Sequence, residues 1–463
     1  MRVEAFIMRQ AAPQAVPTCL TIAGSDSGGG AGIQADLKAM EAAGTFGTSA
    51  ITAVTSQHTQ GVERSFVLPL EEIAAQIDAV RSDIDVQAVK TGMLASADII
   101  DLVTQAFADS TIPLVVDPVM IATSGDRLLA PAAETAYAAL IQEATIVTPN
   151  TDEATALTDH DIASPTDAIA AGKSLVDMGA DAALVKGGHL EGDAVVDVLV
   201  TADTVRRFRH PRVDSNATHG SGCTLASTIT ARLAHGDSIE DAVGTSLASM
   251  DRAVRYPIDI GAGPGPVQHL ASLRNDAARA ETIEAVHDTV EALVRADVAP
   301  LIPEVGMNVV GVTPFAEDRG DSAAVDGRIT RTSMGARANA GIAIGASSHV
   351  ARFILAIREH DPAIRFGIDC RFDADIETAV HALPVTVGEY DRSDEPPAIA
   401  EQEGSTMAWA AKELVGDRQQ APDAIIDRGA HGKEPILKFL AQDAESLRNH
   451  TMALADAVAN RSS

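Results

Sequence analysis

Along the first 255 residues, short apolar runs alternate with stretches whose apolar positions recur every three to four residues. The runs Thr18–Ala23, Ala50–Thr55, Val86–Lys90, Ile112–Asp117, Thr145–Pro149 and Ala182–Lys186 predict strands. Between them, Ile33–Ala43, Glu71–Ser82 and Ala132–Glu143 predict amphipathic helices. Helices separating apolar strands imply βαβ crossovers, hence an α/β fold with a mostly parallel sheet and helices on both faces. Ligands in such folds bind at the carboxyl ends of the strands. The loops Gly24–Gly32, Thr91–Leu94, Pro149–Glu153, Gly187–His189 and His219–Cys223 fall there.

The pattern breaks at Pro257–Val267, a stretch rich in glycine and proline. A helical stretch, Asn275–Ala296, leads into a second set of mixed elements: Val305–Thr313, a helix near Ser347–Glu359, Ile364–Asp369, Ser405–Val415, Ala424–Asp427 and a last helix from Pro435. This predicts a second, smaller α/β domain with no repeat of the first. We expect a fusion of two unrelated domains, 1–270 and 271–463.

Charge restricts the partners. Against 65 acidic residues stand 35 Lys and Arg, a net charge of −30, and only seven of the bases are lysine. The excess covers both parts, with net charges of −18 over residues 1–270 and −12 over 271–463. Such a field argues against nucleic acid or an anionic membrane as main partner. Acid-rich, lysine-poor surfaces resemble those of salt-accumulating halophiles, where salt screens carboxylate repulsion. Cys19, Cys223 and Cys370 form no disulfide framework and no C-x-x-C, which points to a reducing compartment. With no uncharged run of membrane-spanning length, we expect a cytoplasmic protein. A homo-oligomer is expected.

Two glycine-rich loops carry the chemistry of the first domain. Gly24–Gly32 follows a strand and precedes a helix, but no Gly-Lys-Ser/Thr follows, so it is not a Walker A loop. Gly220, Ser221 and Gly222 open an apolar helix whose N–H groups and positive end suit an anion. Cys223 at that end is expected to have a lowered pKa; a buried helix-start cysteine is the plainer alternative. Asn150 and Glu153, three apart at a helix start, could hold Mg²⁺ through water or form an N-cap. Lys186 ends a strand and could reach a nucleotide phosphate.

In order, G-S-D-S-G-G-G-A-G-I-Q-A-D-L-K, A-I-T-A-V-T-S-Q-H-T, K-T-G-M-L, V-V-D-P-V-M, T-P-N-x-x-E-A, V-K-G-G-H and T-H-G-S-G-C-T resemble hydroxymethylpyrimidine/phosphomethylpyrimidine kinases of the ribokinase-like superfamily. The resemblance spans about residues 17–270. It implies that ATP phosphorylates 4-amino-5-hydroxymethyl-2-methylpyrimidine and then its monophosphate. It places Gln57, Gly24, Asp36 and Met93 at the pyrimidine, and Asn150, Glu153 and Asp117 at Mg-ATP, with Asp117 and Glu153 toward the metal. Cys223 stands where sugar kinases carry a catalytic Asp, as base toward the hydroxyl. Ala262 departs from the lysine that relatives often carry in that glycine-rich stretch. Vitamin B6 kinases share the scaffold, so a pyridoxal-type kinase is the alternative.

In the second domain, Gly345–Arg352 opens a helix, and Asp326-Gly327-Arg328 and Asp427-Arg428-Gly429 are turns with basic groups. Together with Glu304–Asn308, Glu403–Met407 and D-R-G-x-x-G-K-E-P they resemble the archaeal ThiN-type thiamine-phosphate synthase domain over about residues 280–445. The resemblance implies condensation of the pyrimidine diphosphate with a thiazole phosphate. Arg328 and His349 would be catalytic and Lys433 a phosphate contact. Asp369 stands where relatives tend to have a neutral Asn. A thiamine-phosphate sensor regulating the kinase is the competing reading.

Overall fold

A computed structural model describes residues 14–120, 131–215, 217–396, 405–416, 420–430 and 434–462. The chain divides into two compact units, Met1–Leu273 and Arg274–Ser463. No helix among the described residues is long and apolar enough to cross a membrane.

Among the described residues the first unit has nine strands: β1 (Thr18–Asp26), β2 (Phe46–His58), β3 (Gly61–Val67), β4 (Ala88–Thr91), β5 (Leu114–Val116), β6 (Ile146–Val147), β7 (Ala182–Val185), β8 (Ala194–Thr201) and β9 (Val205–Pro211). Their order is β3-β2-β1-β4-β5-β6-β7-β8-β9. From β2 to β7 every pairing is parallel, while β3, β8 and β9 add antiparallel edges. All six expected strands are present. The edge hairpins lie outside that expectation, because β3 and β9 mix charged and apolar residues and read as surface loops.

Alternation along the central strands divides the core. Leu20, Ile22, Leu114 and Val116 face the helices Leu70–Asp83, Ala97–Phe107 and Tyr137–Gln142. Cys19, Ala88, Val115 and Ile146 face Ser221–Ala234 and Ile239–Arg255. A period of two thus presents an apolar surface to each helical layer. With both faces covered, only the strand ends and their loops remain for a ligand.

The second unit has strands β10 (Val309–Val312), β11 (Ser322–Val325), β12 (Ile329–Thr332), β13 (Gly335–Ala338), β14 (Ile342–Ile344), β15 (Phe366–Arg371), β16 (Val387–Tyr390), β17 (Ala424–Asp427) and β18 (Ile436–Ala441). Seven form a sheet in the order β14-β11-β10-β15-β18-β17-β16, antiparallel except for β16–β17, and β12–β13 is a separate hairpin. Helices Arg279–Arg295 and Ala444–Ser462 pack on one face. His349–Arg358 and Ser405–Val415 pack on the other. The helix expected from Pro435 is instead strand β18, and the helix begins at Ala444. Its six-residue run, apolar but for Lys438, is too short for a helix that must bury one stripe, and it fits a central strand covered on both faces.

Candidate active sites

Loops at the carboxyl ends of the parallel strands of the first unit enclose a cavity of about 690 Å³. One carboxylate organises the glycine loop. Asp26 accepts hydrogen bonds from the N–H groups of Gly28 (2.8 Å), Gly30 (3.0 Å) and Ala31 (2.8 Å), and from His219 Nε2 (3.1 Å). Burial opposes its charge, but His219 and the amides prevail and hold the carboxyl below its ordinary value. Gln57 lines the cavity beside the same histidine, its side-chain oxygen accepting from Thr55 Oγ1 at 3.3 Å. Gly24 lies against Met93: a Cβ there would come within 2.9 Å of the sulfur.

Gly220 adopts φ +76°, and a Cβ would stand 1.8 Å from the Gly30 carbonyl oxygen. Only glycine joins the two loops this closely. The helix Ser221–Ala234 then starts with no side-chain cap, so its amino end serves the cavity. A Cβ at Gly222 would lie 3.2 Å from Lys186 Nζ, which brings that ammonium to the helix start.

Cys223 is not thiolate-prone. Burial pushes its thiol up to about 11; Lys90 works against this, while Asp36 and Asp117 reinforce it. The expectation of a lowered pKa considered the helix end and missed the desolvation.

Asp36 is also corrected. It does not line the cavity; fully buried, it accepts from Thr21 Oγ1 (2.6 Å), Ser227 Oγ (2.7 Å) and Lys90 Nζ (2.9 and 3.0 Å). Its carboxylate is saturated, so it fixes Lys90 rather than a pyrimidine. Lys90 itself does line the cavity. Burial disfavours its charge, but Asp36 outweighs this and holds the ammonium above its ordinary value. Sequence reasoning passed over Lys90 as the polar end of a strand; the signal was a lysine before a glycine turn in a chain with seven lysines.

On the opposite wall, Lys186 Nζ pairs with Asp117 Oδ1 at 3.2 Å, and Thr148 Oγ1 donates to the same oxygen at 3.3 Å. Asp117 Oδ2 is buried without a hydrogen-bond partner among the described residues. Asn150 and Glu153 cap their own helix: Asn150 Oδ1 accepts from Glu153 N and Glu153 Oε2 accepts from Asn150 N, both at 2.8 Å. Both still line the cavity. Burial raises the Glu153 carboxyl to about 7; Lys186 opposes the rise and Asp117 adds to it.

In the second unit a polar row crosses the sheet on the face covered by His349–Arg358. Asp369 on β15 is registered with Lys438 on β18, and Tyr390 on β16 with Asp427 on β17. Asp427 accepts from Tyr390 Oη (2.5 Å), Arg392 Nε (3.0 Å) and Nη2 (2.8 Å), and Lys438 Nζ (3.2 Å). Burial opposes its charge, but Arg392, Lys438 and Tyr390 hold its carboxyl far below the ordinary range. Asp369 accepts from Asn308 N at 2.5 Å, and burial raises its carboxyl above the usual value.

Exposed His349 stands at the start of its helix. Burial and the cations Arg352, Arg328, Arg392 and Lys438 lower its pKa, so the neutral ring is favoured. Arg328 lies within electrostatic reach of His349, in the left-handed region at φ +68° and bonded to the Val305 carbonyl. A non-glycine residue held there is strained, as functional turns often are. Arg428, by contrast, is taken up by Glu377 and Glu389. Lys433 lies outside the described residues.

A parallel sheet with glycine-loop anion sites at its carboxyl edge defines the first unit as a ribokinase-like phosphotransferase. A family model described as phosphomethylpyrimidine kinase matches residues 26–268, and one described as thiamine-phosphate synthase ThiN matches residues 285–452. The hydroxymethylpyrimidine/phosphomethylpyrimidine kinase of Streptomyces coelicolor is 46% identical over 258 residues, covering 56% of this chain and 96% of that protein. The chloroplastic thiamine biosynthetic bifunctional enzyme of Arabidopsis thaliana is 44% identical over 268 residues, 56% of this chain and 51% of that one. The Staphylococcus aureus pyridoxal kinase in complex with AMP-PCP and pyridoxal superposes with a TM-score of 0.53 at 33% identity, covering 56% of this chain and 96% of that structure. The chain belongs to the phosphomethylpyrimidine kinase family and carries a ThiN thiamine-phosphate synthase domain, which makes it an enzyme of thiamine biosynthesis that uses ATP.

Proposed function

We propose that the first unit transfers the γ-phosphoryl group of ATP to the hydroxymethyl oxygen of 4-amino-5-hydroxymethyl-2-methylpyrimidine, and then phosphorylates the monophosphate. The second unit then joins the diphosphate to a thiazole phosphate. The observation that carries the kinase reading is one cavity that combines an amide-bearing wall at Gln57, the Cys223 helix start, and Lys186 beside Asp117.

In each transfer an oxygen–phosphorus bond forms to the acceptor as the bond to ADP breaks. In the first transfer the hydroxyl proton passes to the Cys223 thiolate, the minority form at neutral pH because burial pushes the thiol up to about 11; the monoester oxygen of the second transfer is already anionic and needs no base. Little covalent work is needed from the protein, because the transition state is loose and depends on positioning and charge neutralisation. Lys186 and the helix start at Gly220–Gly222 meet the phosphate charge, and Lys90 bears on Cys223. Asp117 and Glu153 would hold Mg²⁺, a fit supported by the unpartnered buried Asp117 Oδ2 and by the hard oxygen donors. Bound there, the ion would neutralise phosphate oxygens.

In the condensation, the carbon–oxygen bond to pyrophosphate breaks and a carbon–nitrogen bond forms to the thiazole nitrogen. Arg328 stabilises the leaving anion. His349, kept neutral by its cationic neighbours, donates a hydrogen bond rather than a full charge. Over both units the acidic surface reads as a coat for concentrated salt, in a cytoplasmic enzyme.

Purified protein supplied with the pyrimidine, thiazole phosphate and Mg-ATP at high salt should form thiamine phosphate. Accumulating pyrimidine diphosphate with no thiamine phosphate, despite binding of the latter, would make the second unit a sensor. Faster turnover of pyridoxal than of the pyrimidine would reassign the kinase.

A further inference from the structure

We infer that Lys438, oriented together with Arg392 by the Asp427 carboxylate, is a diphosphate-binding residue of the second unit. The inference rests on the synthase reading of that unit.

The sequence poses the question. Ile436-Leu437-Lys438-Phe439-Leu440-Ala441 is the strand β18, whose other residues are apolar, and it lies between β15 and β17 in the sheet. A lysine there is costly, since burial disfavours its charge. Its neighbours Leu437 and Phe439 pack into the core on the opposite face, so alternation directs Lys438 to the face covered by His349–Arg358.

On that face its ammonium sits 5.2 Å from the Phe353 ring centre and 5.8 Å from that of Tyr390, and pairs with Asp427 at 3.2 Å. Phe353 and His349 are four residues apart on one helix, so they share a stripe, and the ring that Lys438 contacts lies one turn from the exposed imidazole. Arg392 reaches the same carboxylate through two nitrogens, at 3.0 and 2.8 Å, which fixes its guanidinium plane.

Charge balance then points to the ligand. Four cations, Arg328, Arg352, Arg392 and Lys438, act electrostatically on His349, against three carboxylates, Asp369 and Asp427 in the polar row and Glu395 acting on Arg392. A buried ion pair alone adds little to stability and could be replaced by apolar side chains. An excess of cations beside a reachable helix start, in a chain of net charge −30, answers a need for a multiply charged anion. A diphosphate matches it better than a monoester. Asp427 acts as a positioning residue: with Tyr390, Arg392, Lys438 and the Gly429 N–H all donating to it, it fixes where the two cations stand, and its single charge cannot neutralise both.

The test titrates the full-length protein with inorganic pyrophosphate and, separately, with inorganic phosphate, at one salt concentration, and measures synthase kinetics on the same samples. Lys438→Met should weaken pyrophosphate binding about tenfold to a hundredfold. It should also raise KM for the pyrimidine diphosphate while leaving KM for thiazole phosphate near the parent value. If Lys438→Met does not fold, Arg392→Gln, at the less buried end of the triad, carries the same expectation. Unchanged pyrophosphate affinity in the folded variants would overturn the inference and leave the triad a packing feature. Loss of phosphate binding together with a raised KM for thiazole phosphate would overturn the diphosphate assignment. Lys438-dependent pyrophosphate binding in a parent that makes no thiamine phosphate would sustain this inference while rejecting the synthase reading.

Discussion

The two units meet the same electrostatic problem by different means. In the first, the proposed phosphate site is mostly backbone: the loop held by Asp26, the uncapped start of Ser221–Ala234, and glycines that no other residue could replace. Its two lysines are each tied to a carboxylate, Lys90 to Asp36 and Lys186 to Asp117. In the second, side-chain cations gather around one helix start and a shared carboxylate. A backbone site is fixed by folding and tolerates little change at its glycines. A side-chain site can be adjusted one residue at a time. An acidic chain can therefore bind phosphates without a basic surface, provided the positive groups face inward.

The difference can be broken from either side. The largest expected effect is Asp36→Asn, which leaves Lys90 buried and uncompensated; it should cost the first unit about 3–5 kcal/mol, read from denaturant unfolding. Next is Gly220→Ala, whose methyl group meets the Gly30 carbonyl. Kinase turnover should fall on the order of a hundredfold, while condensation of supplied pyrimidine diphosphate continues at the parent rate. If both activities fall together, the site is not the local backbone construction described.

Cys223→Ala should lower kinase kcat about tenfold to a hundredfold with KM for the pyrimidine unchanged. Burial pushes the thiol up to about 11, so the parent rate should climb as pH rises toward that value. A rate flat from neutral pH upward would make Cys223 a packing residue.

The smallest effect belongs to Glu153→Gln. The carboxyl is raised to about 7 from 4.5, so between those values the unfolded chain ionises first and folding stability falls as pH rises. Glutamine preserves the reciprocal cap. The variant should therefore melt a few degrees above the parent at pH 8, and the gain should vanish at pH 5.

What the sequence revealed follows from which interactions are local. Strands such as Leu114–Val116 are apolar on both faces and lie next to glycine loops, so the parallel sheet and the cavity edge were readable. The cap at Asn150–Glu153 is local too, and its spacing announced it. The saturation of Asp36 was not readable, since its partners Thr21, Lys90 and Ser227 come from separate parts of the chain. Cys223 was misjudged for the same reason: a helix start is visible in sequence, but burial and distant carboxylates are not. Arg328 and His349 were expected together from their resemblance to known motifs. Lys438 was hidden inside a run assigned to a helix.

The mutual cap at Asn150 and Glu153 has a kinetic consequence. Each side chain already serves the other's backbone N–H, Glu153 through Oε2. Were the proposed Mg²⁺ to take Oε2 directly, the first turn would unfasten, whereas an ion held across a water layer leaves it intact. Outer-layer contacts exchange quickly. Occupancy by such an ion would then follow the arrival and departure of the nucleotide, and spent ADP would leave without waiting for a tightly lodged metal.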